Sequence, residues 1–207
     1  MFKNGIVITG PIGSGKSEAL KIIKKLGYLT VDLDVISNEI LESDEGIKFL
    51  DSTFPDCINE NSIDRTRLAN IVFKNKDQLN ILESFLHPKV QEKLLSILEK
   101  NEGFTFIEVS APKSVIDLFK CVVIWSPKEV RIKRLLDRGM DEEDITNRIN
   151  NQPNDEWWYS IGTLIENNKI EDLENKLNYE IQKLLWKNLK SFQNLHPKEI
   201  NLLQSKN

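Results

Sequence analysis

Gly10-Pro11-Ile12-Gly13-Ser14-Gly15-Lys16-Ser17 follows the apolar run Gly5-Ile6-Val7-Ile8-Thr9 and precedes an amphipathic segment that begins Glu18-Ala19-Leu20. The octet satisfies G-x-x-x-x-G-K-[ST] in the context that gives the pattern meaning, a strand before it and a helix after it. Glycines let backbone N–H groups turn inward, and the helix N-terminus adds positive potential. Gly10, Gly13, Ser14 and Gly15 therefore form the cradle, Lys16 reaches the terminal phosphates, and the Ser17 hydroxyl can ligate Mg²⁺. The stretch holds a nucleotide polyphosphate at the end of a first buried strand.

Working outward, five runs rich in β-branched or aromatic residues read as buried strands: Ile6 to Thr9, Tyr28 to Val31, Phe104 to Val109, Cys121 to Trp125 and Thr163 to Ile165. Helical patterns separate them, which predicts an α/β fold, a five-stranded parallel sheet covered by helices on both faces. In the first helix Ala19, Leu20, Ile22, Ile23 and Leu26 recur at helical spacing, and Gly27 stands where a C-terminal cap belongs. Roughly seventy residues separate the second and third strands, far more than the dozen or so a crossover needs. Residues 35–100 are thus expected to hold an inserted helical lobe. Leu68, Ile71 and Val72 share one face there, and two later apolar stripes are broken at His87-Pro88. The segment from Ser126 to Gln152 reads as two charged helices, the second capped by Asp141, and a last amphipathic helix spans Asp172 to about Phe192. The tail His196-Pro197-Lys198 onward is expected to be poorly ordered.

Of the 207 residues 40% are hydrophobic and 29% charged, enough for one domain, 1–207, with a sizeable core. The net charge of -4 argues against a general nucleic-acid or membrane-surface binder, so an anionic ligand must meet local positive charge. Cys57 and Cys121 lie far apart without a CxxC spacing, which fits a reducing compartment and signals neither metal nor redox chemistry. The first apolar run is too short for a signal-peptide core, and no segment approaches membrane-spanning length. A cytoplasmic protein, monomeric or weakly homo-oligomeric, with no nucleic-acid or membrane partner, is the expectation.

Thr30-Val31-Asp32-Leu33-Asp34 carries the next chemistry. In an extended segment Asp32 and Asp34 share a face, at the strand edge where open α/β sheets bind ligands. A carboxylate there can orient an attacking hydroxyl, accept its proton or hold metal-bound water; the alternative for Asp32 is to cap the next helix. Glu108, closing the third strand, stands where an acid can hold Mg²⁺ through water, or serves as an exposed ion-pair partner. Arg131, Arg134 and Arg138 recur three and four apart, placing three guanidinium groups on one helix face above a transferring phosphoryl group, with Arg148 on the next helix. The bland reading is a solvated face paired with Asp137, Glu142 and Glu143. His87 lacks a second histidine nearby, which favours a structural or acceptor-contacting role over metal ligation. Trp157, Trp158 and Tyr159 read as packing at the root of the charged helices.

These motifs together resemble the dephospho-CoA kinase family, from Ile6 to about Leu177. The resemblance rests on Thr9-Gly10 through Ser17, Asp32-Leu33-Asp34, Ile63-Asp64-Arg65-Thr66-Arg67-Leu68, Leu86-His87-Pro88, the segment from Ser126 to Gln152, and Leu164-Ile165-Glu166-Asn167-Asn168. It implies a three-layer P-loop kinase fold with a helical acceptor-binding lobe at 35–100 and a helical lid at 127–160. It also implies transfer of the ATP γ-phosphoryl group, with Mg²⁺, to the ribose 3′-hydroxyl of dephospho-CoA. By position it gives Asp34 the hydroxyl, Lys16 and Ser17 the phosphates and Mg²⁺, and Glu108 a further metal contact. Arg134 and Arg138 fall to the nucleotide from the lid, Asn167 or Asn168 to the adenine, and Asp32, Arg65 and His87 to the acceptor. The chain departs from the family at Ser110-Ala111-Pro112-Lys113-Ser114, where proline, two leucines, an aromatic and a glutamate are usual, and at Asn38, where a basic residue is common. The rival readings are a kinase of this fold for another small acceptor, such as a nucleoside or nucleotide, and a catalytically impaired nucleotide-binding protein.

Overall fold

Strand-forming and helical segments alternate along the chain in the computed structural model, which describes residues 4–59 and 62–192. The tail expected to be poorly ordered lies outside the described residues. The order is β1 (Gly5–Thr9), α1 (Lys16–Lys25), β2 (Leu29–Asp32), α2 (Leu33–Glu42), α3 (Asp44–Thr53), β3 (Ile58–Asn59), β4 (Ser62–Ile63), α4 (Arg65–Lys74) and α5 (Lys76–Lys100). It continues with β5 (Thr105–Glu108), β6 (Lys120–Trp125), α6 (Lys128–Leu136), α7 (Glu142–Asn150), α8 (Asp155–Ser160), β7 (Thr163–Glu166) and α9 (Ile170–Phe192). All five expected strands form one parallel sheet in the order β2-β5-β1-β6-β7. The first helix ends as its sequence demands. Gly27 takes φ 90° while its N–H donates to Lys24 and that of Tyr28 to Ile23, closing a glycine-capped terminus.

Alternation along the strands divides the core. Ile6, Ile8 and Phe106 face α1 and α9, where Ile22, Ile23, Leu173 and Leu177 complete one fully buried cluster. Val7, Val31 and Ile107 face the other way, onto Ile36 of α2 and Leu94 and Leu98 of α5. The insertion has a core of its own, built from Leu41, Leu50, Phe54, Leu68, Val72 and Leu82. Within it lies the short hairpin β3–β4, whose two-residue strands leave no readable period in the sequence. Among the described residues no helix is long and apolar enough to cross a membrane.

Two expectations are corrected here. The helix break at His87-Pro88 is absent: α5 runs unbroken for 25 residues with Pro88 inside. Proline removes one N–H from the ladder, the partner of the Ser84 carbonyl. Both residues are exposed, so water can satisfy that carbonyl while Leu82 and Leu94 hold the two halves in different cores. The extended reading through Asp34 also fails, because β2 stops at Asp32 and Leu33 opens α2. The Asp32 carboxylate accepts from the N–H groups of Asp34 and Val35, which is the capping alternative.

Leu177 is fully buried between α9 and the sheet. Leu177→Ala is expected to lower stability by about 2–5 kcal/mol in chemical denaturation, with the secondary structure kept.

Candidate active site

Between β1 and α1 the chain must pass close under its neighbours, and the glycines make that passage possible. A Cβ on Gly10 (φ +147°) would lie 1.9 Å from the Ile124 carbonyl oxygen, and one on Gly15 (φ +100°) 2.3 Å from Nδ2 of Asn167. The loop is then held from outside. The Ser14 carbonyl accepts from Asn167 Nδ2 at 2.8 Å and Arg134 Nη1 at 3.3 Å, while the Ser126 hydroxyl donates to the Asn167 carbonyl at 2.6 Å. The Ile12 carbonyl accepts from Arg131 Nη1 at 3.5 Å, and the Ile12 N–H donates to Gln152 Oε1 at 2.8 Å.

These bonds redefine the arginine face expected above. Arg131 is buried, donating Nε–H to the Ser126 carbonyl and lying 3.9 Å from Asp155. Arg134 also reaches Ser126 Oγ and the Asn167 carbonyl, both at 2.9 Å. The helix ends at Leu136, so Arg138 stands exposed in the following turn rather than on the same face. Asn167 is buried under the loop, whereas Asn168 is exposed. Trp158 is buried and Tyr159 meets the Trp125 ring edge-on, as expected of packing residues.

On the inner side, Lys16 Nζ donates to the carbonyls of Gly10 at 2.9 Å and Pro11 at 3.3 Å. Burial pulls its pKa down; the charges of Glu108 and Asp34 push it back up, and those of Arg131 and Arg138 add to the lowering. Lysine, both carboxylates and Arg138 thus share one electrostatic neighbourhood. The Ser17 hydroxyl donates to Glu108 Oε1 at 3.2 Å. Glu108 is buried and pairs in register with Asp32 on one side and Ile8 on the other. Burial raises its pKa, the Asp32 charge adds to this, and Lys16 opposes it. A hydroxyl and a carboxylate oxygen so close, beside a phosphate cradle, suit Mg²⁺, which usually takes one or two protein oxygens and completes its shell with phosphates and water.

Asp34 is exposed in the first turn of α2 and accepts from Ser110 Oγ at 3.0 Å. Both residues line a cavity of about 300 Å³ whose other walls include His87, Val90, Leu94 and Phe119. The structure therefore brings Asp34 and His87 together. It leaves Asp32 at the helix cap, and it sets Arg65 in a separate cleft with Phe73, Lys74, Asp144 and Arg148. There Arg65 bonds Asn38 and Glu42. Lys113 is exposed on a third groove with Gln152 and Trp157. Sequence reasoning missed Ser110 and Ser126. Ser126, next to Pro127 after a β-branched strand, carried a faint signal, and Ser110 carried none. Both cysteines are buried, and burial lifts the Cys121 thiol to about 11.

Two measurements follow from this geometry. A raised carboxylate favours folding at pH below its ordinary range and loses that contribution as pH climbs through the shifted value. Glu108→Gln is therefore expected to raise the melting temperature of the nucleotide-free protein at about pH 7, the difference closing toward about pH 4. Asn167→Ala leaves the Ser14 carbonyl with a weaker partner; calorimetry should find ATP binding about tenfold weaker and folding less stable by about 1–3 kcal/mol.

Known proteins resemble this chain over most of its length. A family model described as dephospho-CoA kinase matches residues 5–172. The dephospho-CoA kinase of Helicobacter pylori J99 is 31% identical over 196 residues, covering 89% of this chain and all of that protein. A solved dephospho-CoA kinase from Campylobacter jejuni is 32% identical with a TM-score of 0.62, covering 89% of this chain and 98% of that one. A crystal structure of a Thermus thermophilus protein superposes at a TM-score of 0.78 with 29% identity, covering 88% and 96%. With the phosphate loop, the helical insertion and the late asparagine pair all in place, the chain belongs to the dephospho-CoA kinase family.

Proposed function

We propose that this chain transfers the γ-phosphoryl group of ATP to the ribose 3′-hydroxyl of dephospho-CoA, with Asp34 as the group that orients the hydroxyl and takes its proton. The observation that carries the reading is the position of Asp34. It lines an apolar cavity on one side and acts electrostatically on Lys16 of the phosphate loop on the other. The hydroxyl oxygen attacks the γ-phosphorus as its proton passes to an Asp34 oxygen, the bond to the β–γ bridging oxygen breaks, and ADP leaves. Phosphoryl transfer asks chiefly for alignment and charge stabilisation.

The roles follow from the chemistry of each group. Loop amides from Gly10 to Ser17 and the Lys16 ammonium take the β- and γ-phosphates, with Lys16 giving up its carbonyl partners to do so. Arg138, exposed in the turn after α6, adds positive charge as the lid approaches. Ser17 and Glu108 would hold Mg²⁺, which when bound would neutralise charge on the phosphate oxygens. Residues 35–100 serve as the acceptor lobe, with His87 at its cavity, and 127–160 as the lid. Arg134 steadies the loop beneath the nucleotide, and the exposed amide of Asn168 is the member of the asparagine pair available to an adenine. The enzyme works in the cytoplasm, in keeping with two cysteines that show no CxxC spacing, and as a monomer or weak homo-oligomer.

Coupled ADP release should depend on added dephospho-CoA. Asp34→Asn is expected to lower kcat by about 10²- to 10⁴-fold, the usual worth of a positioned base, with ATP affinity unchanged. Turnover with a nucleoside or nucleotide but not with dephospho-CoA would assign the cavity to another acceptor. ATP binding without turnover on either would point to an impaired nucleotide-binding protein.

A further inference from the structure

Resting on the reading of Asp34 as the proton-accepting carboxylate, we infer that Ser110 is its positioning residue. The Ser110 hydroxyl fixes the orientation of the Asp34 carboxylate and so sets which oxygen meets the acceptor hydroxyl.

The geometry starts from backbone anchoring. Ser110 directly follows Val109, whose N–H donates to the Ile8 carbonyl at 3.1 Å and whose carbonyl accepts from Thr9 Oγ1 at 2.8 Å. Both polar groups of the preceding residue are thus bonded to β1 and its extension, and the serine is presented from a fixed point. The chain then turns tightly, with the Pro112 carbonyl accepting from the N–H groups of Val115 and Ile116. On the other side, Asp34 is seated by the cap that starts α2, its N–H donating to Asp32 Oδ1 at 2.8 Å. From these two anchored positions Ser110 Oγ donates to Asp34 Oδ2 at 3.0 Å.

A carboxylate at a helix start otherwise rotates freely about its last torsion, because that torsion is broad and nearly two-fold. One donor breaks this equivalence. Oδ2 is engaged, and Oδ1 is the oxygen left to receive the proton. In open water such a bond contributes little, since both groups are exposed here. Its worth rises when an acceptor fills the cavity that both residues line and excludes water from it. The effect therefore belongs to turnover rather than to folding or nucleotide binding.

The test compares Ser110→Ala, Ser110→Thr and Asp34→Asn in the coupled assay with dephospho-CoA. Ser110→Ala is expected to lower kcat about tenfold, the scale of a hydrogen bond to a charged group, with KM for ATP and acceptor changed by no more than about twofold. Ser110→Thr, which keeps the hydroxyl, should return kcat to within about threefold of the parent protein. An unchanged kcat in Ser110→Ala overturns the inference. So does an equal loss in Ser110→Ala and Ser110→Thr with matching falls in melting temperature, which is the signature of packing. If Asp34→Asn itself retains full turnover, the reading of Asp34 fails; if it abolishes turnover while Ser110→Ala does not alter kcat, only the role of Ser110 fails.

Discussion

A phosphate cradle aims its amides at the ligand, so its carbonyls must find donors elsewhere, and in this protein the carbonyl of Ser14 decides where the surrounding chain goes. Asn167 and Arg134 both donate to that one oxygen, and Ser126 donates to the Asn167 carbonyl beside it. They come from the end of β7, from α6 and from the end of β6, elements at most adjacent in sequence to one another and far from the loop. Asn167 reaches its place because its own N–H is bonded to the Trp125 carbonyl, continuing the β6–β7 ladder by one residue. The edge strand, α6 and the phosphate loop are therefore one hydrogen-bonded unit.

That unit explains the division of labour among the arginines. Arg131 and Arg134 are drawn in to satisfy carbonyls, and burial lowers the pKa of both guanidinium groups because the charged form loses water. Backbone carbonyls and, for Arg131, the nearby Asp155 compensate. Arg138 lies beyond the helix end, next to Gly139 in its left-handed conformation, and keeps its exposure. Spacing alone makes the three residues look equivalent; the carbonyls waiting beneath the helix make them different.

The legible parts of this molecule are those with local periodicity. β-branched runs marked every strand of the main sheet, and the glycine–lysine–serine pattern marked the loop, because in both cases the physics is contained in a few consecutive residues. The unreadable parts depend on partners distant in sequence. Pro88 signals a helix break unless one knows that its exposed face leaves water to replace the lost bond while two cores grip the flanking turns. The extended reading at Asp34 overran the strand by two residues, since the Asp32 cap decides where strand gives way to helix. The Ser110–Asp34 bond joins residues 76 positions apart. It exists because β2 pairs with β5 so that Asp32 opposes Glu108, and each bonded residue stands two places beyond its member of that pair. Such a bond is a property of sheet register.

The two carboxylates that flank the loop acquire opposite characters from the same register. Glu108, inside the strand between β1 and β2, is buried, and its pKa rises. Asp34, one helical step past the strand end, is exposed and meets a hydroxyl donor. The metal contact and the proton acceptor proposed above would thus be set apart by position in the sheet rather than by residue type. Lys16 sits between them, bonded to Gly10 and Pro11 carbonyls at the loop's own mouth. The loop does not need those bonds to keep its shape, because the clasp on Ser14 holds it from the opposite side. In the proposed function the lysine would therefore exchange carbonyls for phosphate oxygens without the cradle relaxing, and the cost of reorganisation would fall on one flexible side chain rather than on the backbone of the loop.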